Sequence, residues 1–224
     1  MRHLKWFFSI SLCLLLGSYF YSYYQTPEVL PSIVRPAPPP LCIALQPFGQ
    51  LDQRYIVLAK QELEDFYGVT VRVLDPQPLP DSAYYAPRKR YRAPILLRHL
   101  LKLCPDDCAY IAGLTAKDIS TTKGKHHDWG ILGLGFCPGR SCVVSTHRLK
   151  RSARDRAHIA TRFAKVVLHE VGHNLGLRHC QQSNTCLMRD ACGTIKTIDE
   201  EHKALCGGCQ RAVAHKVVLP MAGD

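Results

Sequence analysis

Apolar positions along the chain fall into short blocks of two periods. From Leu41, LCIALQPFG is an almost unbroken apolar run closed by a turn, the pattern of a strand buried on both faces. LDQRYIVLAKQELEDFYG follows, with Leu51, Tyr55, Leu58 and Leu63 broadly on one helical face and Gly68 as its stop. VTVRVLD alternates with period two and predicts a second strand. A polar loop with three prolines leads to APILLRHLLKL, which has helical spacing, and CAYIAGLT is another buried run. Strand, helix, strand, helix, strand is the order of a largely parallel sheet covered by helices, so the class is α/β, without internal repeats.

Further on, WGILGLGFCPGRSCVVSTHRL predicts two strands joined by a turn at CPGRSC. Cys137 and Cys142 flank that turn, either as a disulfide or as a reduced pair of small core residues. Its glycine-rich part, Gly133 to Phe136, suits an edge strand that takes an extended peptide into the sheet. From about Asp155 to Leu177 the pattern turns helical again.

The amino end differs. Arg2 and Lys5 precede an apolar run from Trp6 to about Phe20 that passes into a tyrosine-rich edge. This is an export signal or membrane anchor over residues 1–24, with no small-x-small cleavage site and an aromatic flank suited to a membrane interface. Leu12 before Cys13 is the wrong residue for lipoprotein processing. TPEVLPSIVRPAPPP then makes residues 25–40 a proline-rich linker, leaving 41–224 as the folded domain. The expected location is outside the cytoplasm, either anchored or secreted. At 46% hydrophobic and 21% charged, the chain is globular rather than disordered. Losing Arg2 and Lys5 lowers the formal charge of +11 by two. Basic residues cluster in RKRYR (88–92) and from Arg148 to Lys165, but an exported chain with solvated basic faces does not require a nucleic-acid partner.

The helix beginning near Asp155 carries HEVGHNLGLRHC, residues 169–180. One helical turn separates His169 from His173, so both imidazoles reach one metal ion from the same side. Glu170 is offset around the helix, out of ligand range but able to reach a water on the metal, and is therefore a base. Gly176 permits a positive φ that ends the helix and swings His179 to the third ligand position. Three histidines and an open position make a catalytic zinc site. HExxH alone arises by chance in roughly one such chain in seventy; demanding Gly176 and His179 as well makes coincidence roughly 300 times rarer. Zinc in such a site lowers the pKa of water from 15.7 to about 7; Glu170 takes the proton and returns it to the leaving amine, so the reaction is peptide-bond hydrolysis.

Cys180, Cys186, Cys206 and Cys209 follow, the last two as CGGC. A late CxxC hook paired with an earlier cysteine pair has the spacing of a closed four-thiolate zinc site; two disulfides are the alternative, and the short hook favours metal. Cys42, Cys104, Cys108 and Cys192 have no assigned role, and CPDDC is either a further disulfide or an idle pair.

HEVGHNLGLRHC, then CLM at 186–188, then seventeen residues and CGGC, resembles the archaemetzincins. AGLTAKDIS, GILGLGF and CVVSTHRL also resemble that family's strand region, so the likeness spans most of residues 41–210. The resemblance implies a metzincin-like zincin fold: a mixed twisted sheet, a catalytic helix and a small cysteine-rich C-terminal subdomain. It further implies that Met188 forms a Met-turn beneath the catalytic zinc and that Cys180, Cys186, Cys206 and Cys209 hold a second, structural zinc. Five residues separate Cys180 from Cys186 where the family pattern has four, so the loop bulges or the second site is altered. The expectation is a monomeric zinc metallopeptidase with two zincs, acting on a peptide or protein substrate and meeting the membrane through its amino end if that end is uncleaved. Its rivals are a zinc amidase on a cell-envelope component and a catalytically weak, zinc-stabilised peptide-binding module.

Overall fold

The computed structural model of the chain describes residues 41–191 and 194–217. The export segment, the proline-rich linker and Cys192 lie outside the described residues. Strands β1 (Cys42–Phe48), β2 (Thr70–Val73), β5 (Tyr110–Thr115), β8 (Gly133–Gly135) and β9 (Ser141–Ser145) form one sheet in the order β2-β1-β5-β9-β8. All neighbours in it are parallel except β8, which runs antiparallel to β9 at the edge. The expected parallel core is present, and the antiparallel edge makes the sheet mixed.

Both faces of this sheet are covered. Ile43 and Leu45 of β1, Ala112 and Leu114 of β5 and Cys142 and Val144 of β9 share a core with helices α1 (Gln53–Tyr67) and α3 (Arg156–Asn174). The alternating residues Ala44, Phe48, Ile111 and Val143 face α2 (Ala93–Leu103) through Leu96, Leu97 and Leu100. Period-two alternation with both sets apolar explains why these strands read as continuous apolar runs. In α1 the buried stripe is Ile56, Ala59, Leu63 and Tyr67; of the expected face Leu63 is fully buried, Tyr55 and Leu58 pack part-buried beside it, and Leu51, just before the helix, packs on the same core. Asp52 caps the start of α1 and Gly68, at φ 61°, its end.

A second sheet was not legible in the sequence. Its order is β3-β4-β6-β7, from Tyr84–Tyr85, Arg90–Arg92, Ile119–Lys123 and His126–Ile131. RKRYR, read as a basic cluster, supplies β4. Arg90 bonds to Asp118 and Asp128, and Arg92 to the His127 carbonyl and Thr122, so these guanidinium groups hold strands together instead of facing solvent. Arg148 completes the network, with both nitrogen contacts to Asp118 at 2.7 and 3.0 Å.

Cysteine pairing decides between the alternatives left open and adds a bond that the sequence did not suggest. Cys42 is bonded to Cys108, tying the start of β1 to the loop before β5, while Cys104, Cys137 and Cys142 are free thiols. A disulfide within CPDDC is therefore corrected, because Cys108 is engaged with Cys42. Cys137 and Cys142 are not joined: Cys142 points into the core and the exposed Cys137 donates to the Leu177 carbonyl.

Near the start of α3, the fully buried Arg162 grips Asp199 of α4 (Ile195–Glu200) through two nitrogens at 2.7 and 2.6 Å. The Arg162 guanidinium, aided by His158, holds the Asp199 carboxyl down to about 2. A depressed carboxyl contributes stability that is present above the unfolded value and lost as pH falls through the folded one. Asp199→Asn should therefore cost about 2–3 kcal/mol at neutral pH, by stranding a buried charge. In urea melts the gap to the parent should close as pH falls from about 4 towards 2; a gap independent of pH would refute the pairing as its source.

Candidate active site

Helix α3 is capped at its start by Asp155, whose side chain accepts from the His158 amide, and it runs unbroken to Asn174. His169 and His173 project from its last turns. Gly176, at φ 98°, ends it, and the Leu177 amide reaches back to the Gly172 carbonyl at 2.9 Å. This six-to-one closure needs a left-handed residue, the role expected of Gly176. The chain then turns so that His179 faces the other two: the three ring centres lie 4.7, 5.4 and 4.9 Å apart.

Two of the rings are oriented by a hydrogen bond on the Nδ1 side. His169 donates to the Leu187 carbonyl at 2.8 Å and His173 to the Leu177 carbonyl at 2.7 Å, while His179 Nδ1 lies 3.6 Å from Asp190. A carbonyl can only accept, so Nδ1 of His169 and of His173 carries the proton and Nε2 offers its lone pair. One ligand atom from each ring lies within 4.8 Å of the others. Nitrogens about 2.0–2.1 Å from a shared tetrahedral zinc place imidazole ring centres about 5 Å apart, so the donor set fits that ion. Burial, reinforced by the neighbouring His173, drives His169 down to about 3, and burial also lowers His173, so both rings are neutral as ligands must be.

Glu170 is buried, 7% exposed, and burial pushes its carboxyl up to about 8 against a bond from the Gly135 amide. Edge strand β8 packs directly on it. A Cβ on Gly133 would stand 2.6 Å from Glu170 Cγ, and one on Gly135 would stand 2.7 Å from the Glu170 carbonyl oxygen. Two glycines on one strand face are thus what lets the strand approach the helix; their spacing in GLG was the available signal, and only the substrate-binding edge was read from it.

Met188 is fully buried under α3, where a Cβ on Gly172 would meet its Sδ at 2.6 Å. The residue before it, Leu187, is the one whose carbonyl orients His169, so this turn supports the histidines from below. Neither that carbonyl nor that of Leu177 could be assigned from sequence, since backbone groups carry no residue signature.

The four late cysteines also converge, with all Sγ atoms within 4.8 Å. Cys180 and Cys206 are 3.6 Å apart and Cys186 and Cys209 3.8 Å. Thiolates about 2.3 Å from a tetrahedral zinc stand about 3.8 Å apart, whereas a disulfide requires about 2.05 Å, so the set fits the metal. Amides of Gln182 and Cys206 donate to Cys180 and Cys186 sulfurs at 3.3 Å. The Cys209 amide and neighbouring thiols bring Cys206 down to about 7. The extra residue between Cys180 and Cys186 is absorbed in a turn at 181–185, where Ser183 Oγ accepts from the Thr185 amide. The four sulfurs still meet.

With this geometry the sequence match is decisive: the model of peptidase family M54 covers residues 63–215. The chain belongs to that family. It is 32% identical over 182 residues to the archaemetzincin of Natronomonas pharaonis, a match covering 76% of this chain and 98% of that one. With the archaemetzincin of Halobacterium salinarum the identity is 31% over 178 residues, covering 76% and 98%. Among solved structures, the archaemetzincin of Methanopyrus kandleri superposes with a TM-score of 0.67 at 25% identity, covering 79% of this chain and 94% of that one. That of Archaeoglobus fulgidus, complexed with malonate, gives 0.65 at 27% identity, covering 77% and 99%. As an archaemetzincin the chain is a zinc metallopeptidase, a hydrolase, and its mixed α/β fold is that of the family.

Proposed function

We propose that His169, His173 and His179 hold a catalytic zinc and that Glu170 is the base for peptide-bond hydrolysis. The observation carrying this reading is the convergence of the three imidazoles within 4.8 Å beside a buried carboxyl. Zinc, when bound, polarises the scissile carbonyl and acidifies water. Glu170 accepts the proton of the attacking water and delivers it to the departing amine. Its raised basicity suits that exchange near neutral pH. The edge of β8 away from β9 takes the peptide as an added strand, at the distance from Glu170 that Gly133 and Gly135 allow.

A second, structural zinc sits among Cys180, Cys186, Cys206 and Cys209, with Met188 as the Met-turn of a metzincin-like zincin fold whose small lower subdomain these cysteines close. Residues 1–24 export or anchor the chain, 25–40 space it, and 41–224 make the peptidase domain. The Cys42–Cys108 disulfide supports an oxidising location. Among the described residues no helix is long and apolar enough to cross a membrane.

Native mass spectrometry tests the metal assignment: the full chain should carry two zincs, and His173→Ala should lose one while keeping the other. One zinc that survives His173→Ala, or a fully loaded chain that cleaves nothing in a mixed peptide library, would remove the reading.

A further inference from the structure

Beside the three histidines lies a cleft of about 680 Å³. Val166, one turn before Glu170 on α3, lines it together with Ile195 and Ile198 of α4, and Glu201, just past the end of α4, also contributes to its wall. Val166 and Ile198 are 5% and 3% exposed, so this part of the wall is apolar and tightly packed, while Thr121, Lys123 and Arg148 line other parts of the cleft.

Glu201 is out of place in such a wall. It is 4% exposed, and among the described residues its carboxylate has no hydrogen bond or close ion pair; Lys165 and Arg189 act on it only through their charge. Lys165, behind this wall, donates its ammonium to the carbonyls of Ile198 and Glu201 at 2.7 and 2.5 Å. The hydrogen bonds of the cleft's cations go elsewhere: Arg148 to Asp118, Arg189 to the Asn184 carbonyl and Glu200, while Lys123 lies over the Trp129 ring. Arg151 stands at the exposed rim. A desolvated carboxyl without a partner costs several kcal/mol if charged, roughly, and such groups recur where a ligand completes them. Burial pushes Glu201 up to about 8, against the attraction of Lys165 and Arg189.

We propose that Glu201 is a specificity-determining residue whose carboxylate receives the cationic end of a lysine or arginine side chain of the bound peptide. The aliphatic stem lies along Val166, Ile195 and Ile198, and the ammonium or guanidinium supplies the donors that Glu201 lacks. A leucine or methionine fills the apolar part but leaves the carboxyl unpaired, so discrimination comes from satisfying a buried polar group. The assignment rests on the peptidase reading above and deepens it.

Binding tests it apart from turnover. Fluorescein-labelled peptides carrying Lys, Arg, norleucine or Glu at one position at a time are titrated by anisotropy against the zinc-loaded full chain bearing Glu170→Gln. At one position Lys or Arg should bind at least tenfold more tightly than norleucine, and Glu more weakly than either. Adding Glu201→Gln should bring the lysine peptide to the affinity of the norleucine peptide, and Glu201→Asp should restore part of the preference; thermal melting checks that both fold. Equal binding of lysine and norleucine at every position, a lysine preference that survives Glu201→Gln, or no binding of any peptide overturns the assignment. Incubating the parent chain with the tightest peptide separates the two ideas. Preference without cleavage removes the peptidase reading alone, and cleavage without preference removes the role of Glu201 alone.

Discussion

Glu170→Gln is expected to lower kcat for peptide hydrolysis by about a thousandfold, within the range of general acid–base catalysis, while leaving both zincs in place. Glutamine has nearly the same shape, so it keeps the space that Gly133 and Gly135 open and can still accept from the Gly135 amide. It cannot take a proton from water. Because the carboxylate acts on the reacting proton and not on the bound peptide, KM should change little, and kcat and kcat/KM should fall together. Steady-state kinetics beside metal analysis reads both. Unchanged kcat would show that Glu170 is not the base; loss of zinc would show that it acts through the ligands.

The second large effect belongs to the cysteines. Cys206→Ser should release the structural zinc and lower the melting temperature by about 10 °C or more, since apparent binding energies at such sites are about 10–16 kcal/mol and are spent on folding. Cys206 is the natural choice because it is held down to about 7 by the Cys209 amide and neighbouring thiols, and its own amide bonds to the Cys186 sulfur. Damage should spread to the catalytic histidines. Cys180 follows His179 directly, and its amide donates to the Met188 carbonyl at 2.8 Å, one residue from the carbonyl that orients His169. The remaining zinc should therefore be stripped more readily by a chelator. Calorimetry and chelator titration under reducing conditions are the measurements, and a variant that melts within about 2 °C of the parent with two zincs bound would exclude the four-thiolate site.

Short-range chemistry was the legible part. HExxH needs only the helical turn to bring His169 and His173 together, Gly176 only its freedom at positive φ, and the CGGC hook only its spacing. The strands of the parallel core were visible because both their faces are apolar. Hidden from sequence were features formed by pairing distant segments. The second sheet joins β4 to β6 across about thirty residues, and its short strands carry arginines whose burial depends on Asp118 and Asp128. Cys42 meets Cys108 across a separation of 66 residues that no spacing rule connects.

What the sequence determined by itself, then, is the set of chemical groups: three histidines and a glutamate base placed by local helix geometry, and four cysteines whose spacing suits a metal. Tertiary structure alone decided how these donors are used. It supplies the Leu177 and Leu187 carbonyls that orient the rings, the β8 backbone that presses on Glu170, and the burial of Glu201 at the cleft wall. Backbone carbonyls are alike at every residue, and burial is a property of the neighbours that folding brings, so neither can be read from a residue's own identity.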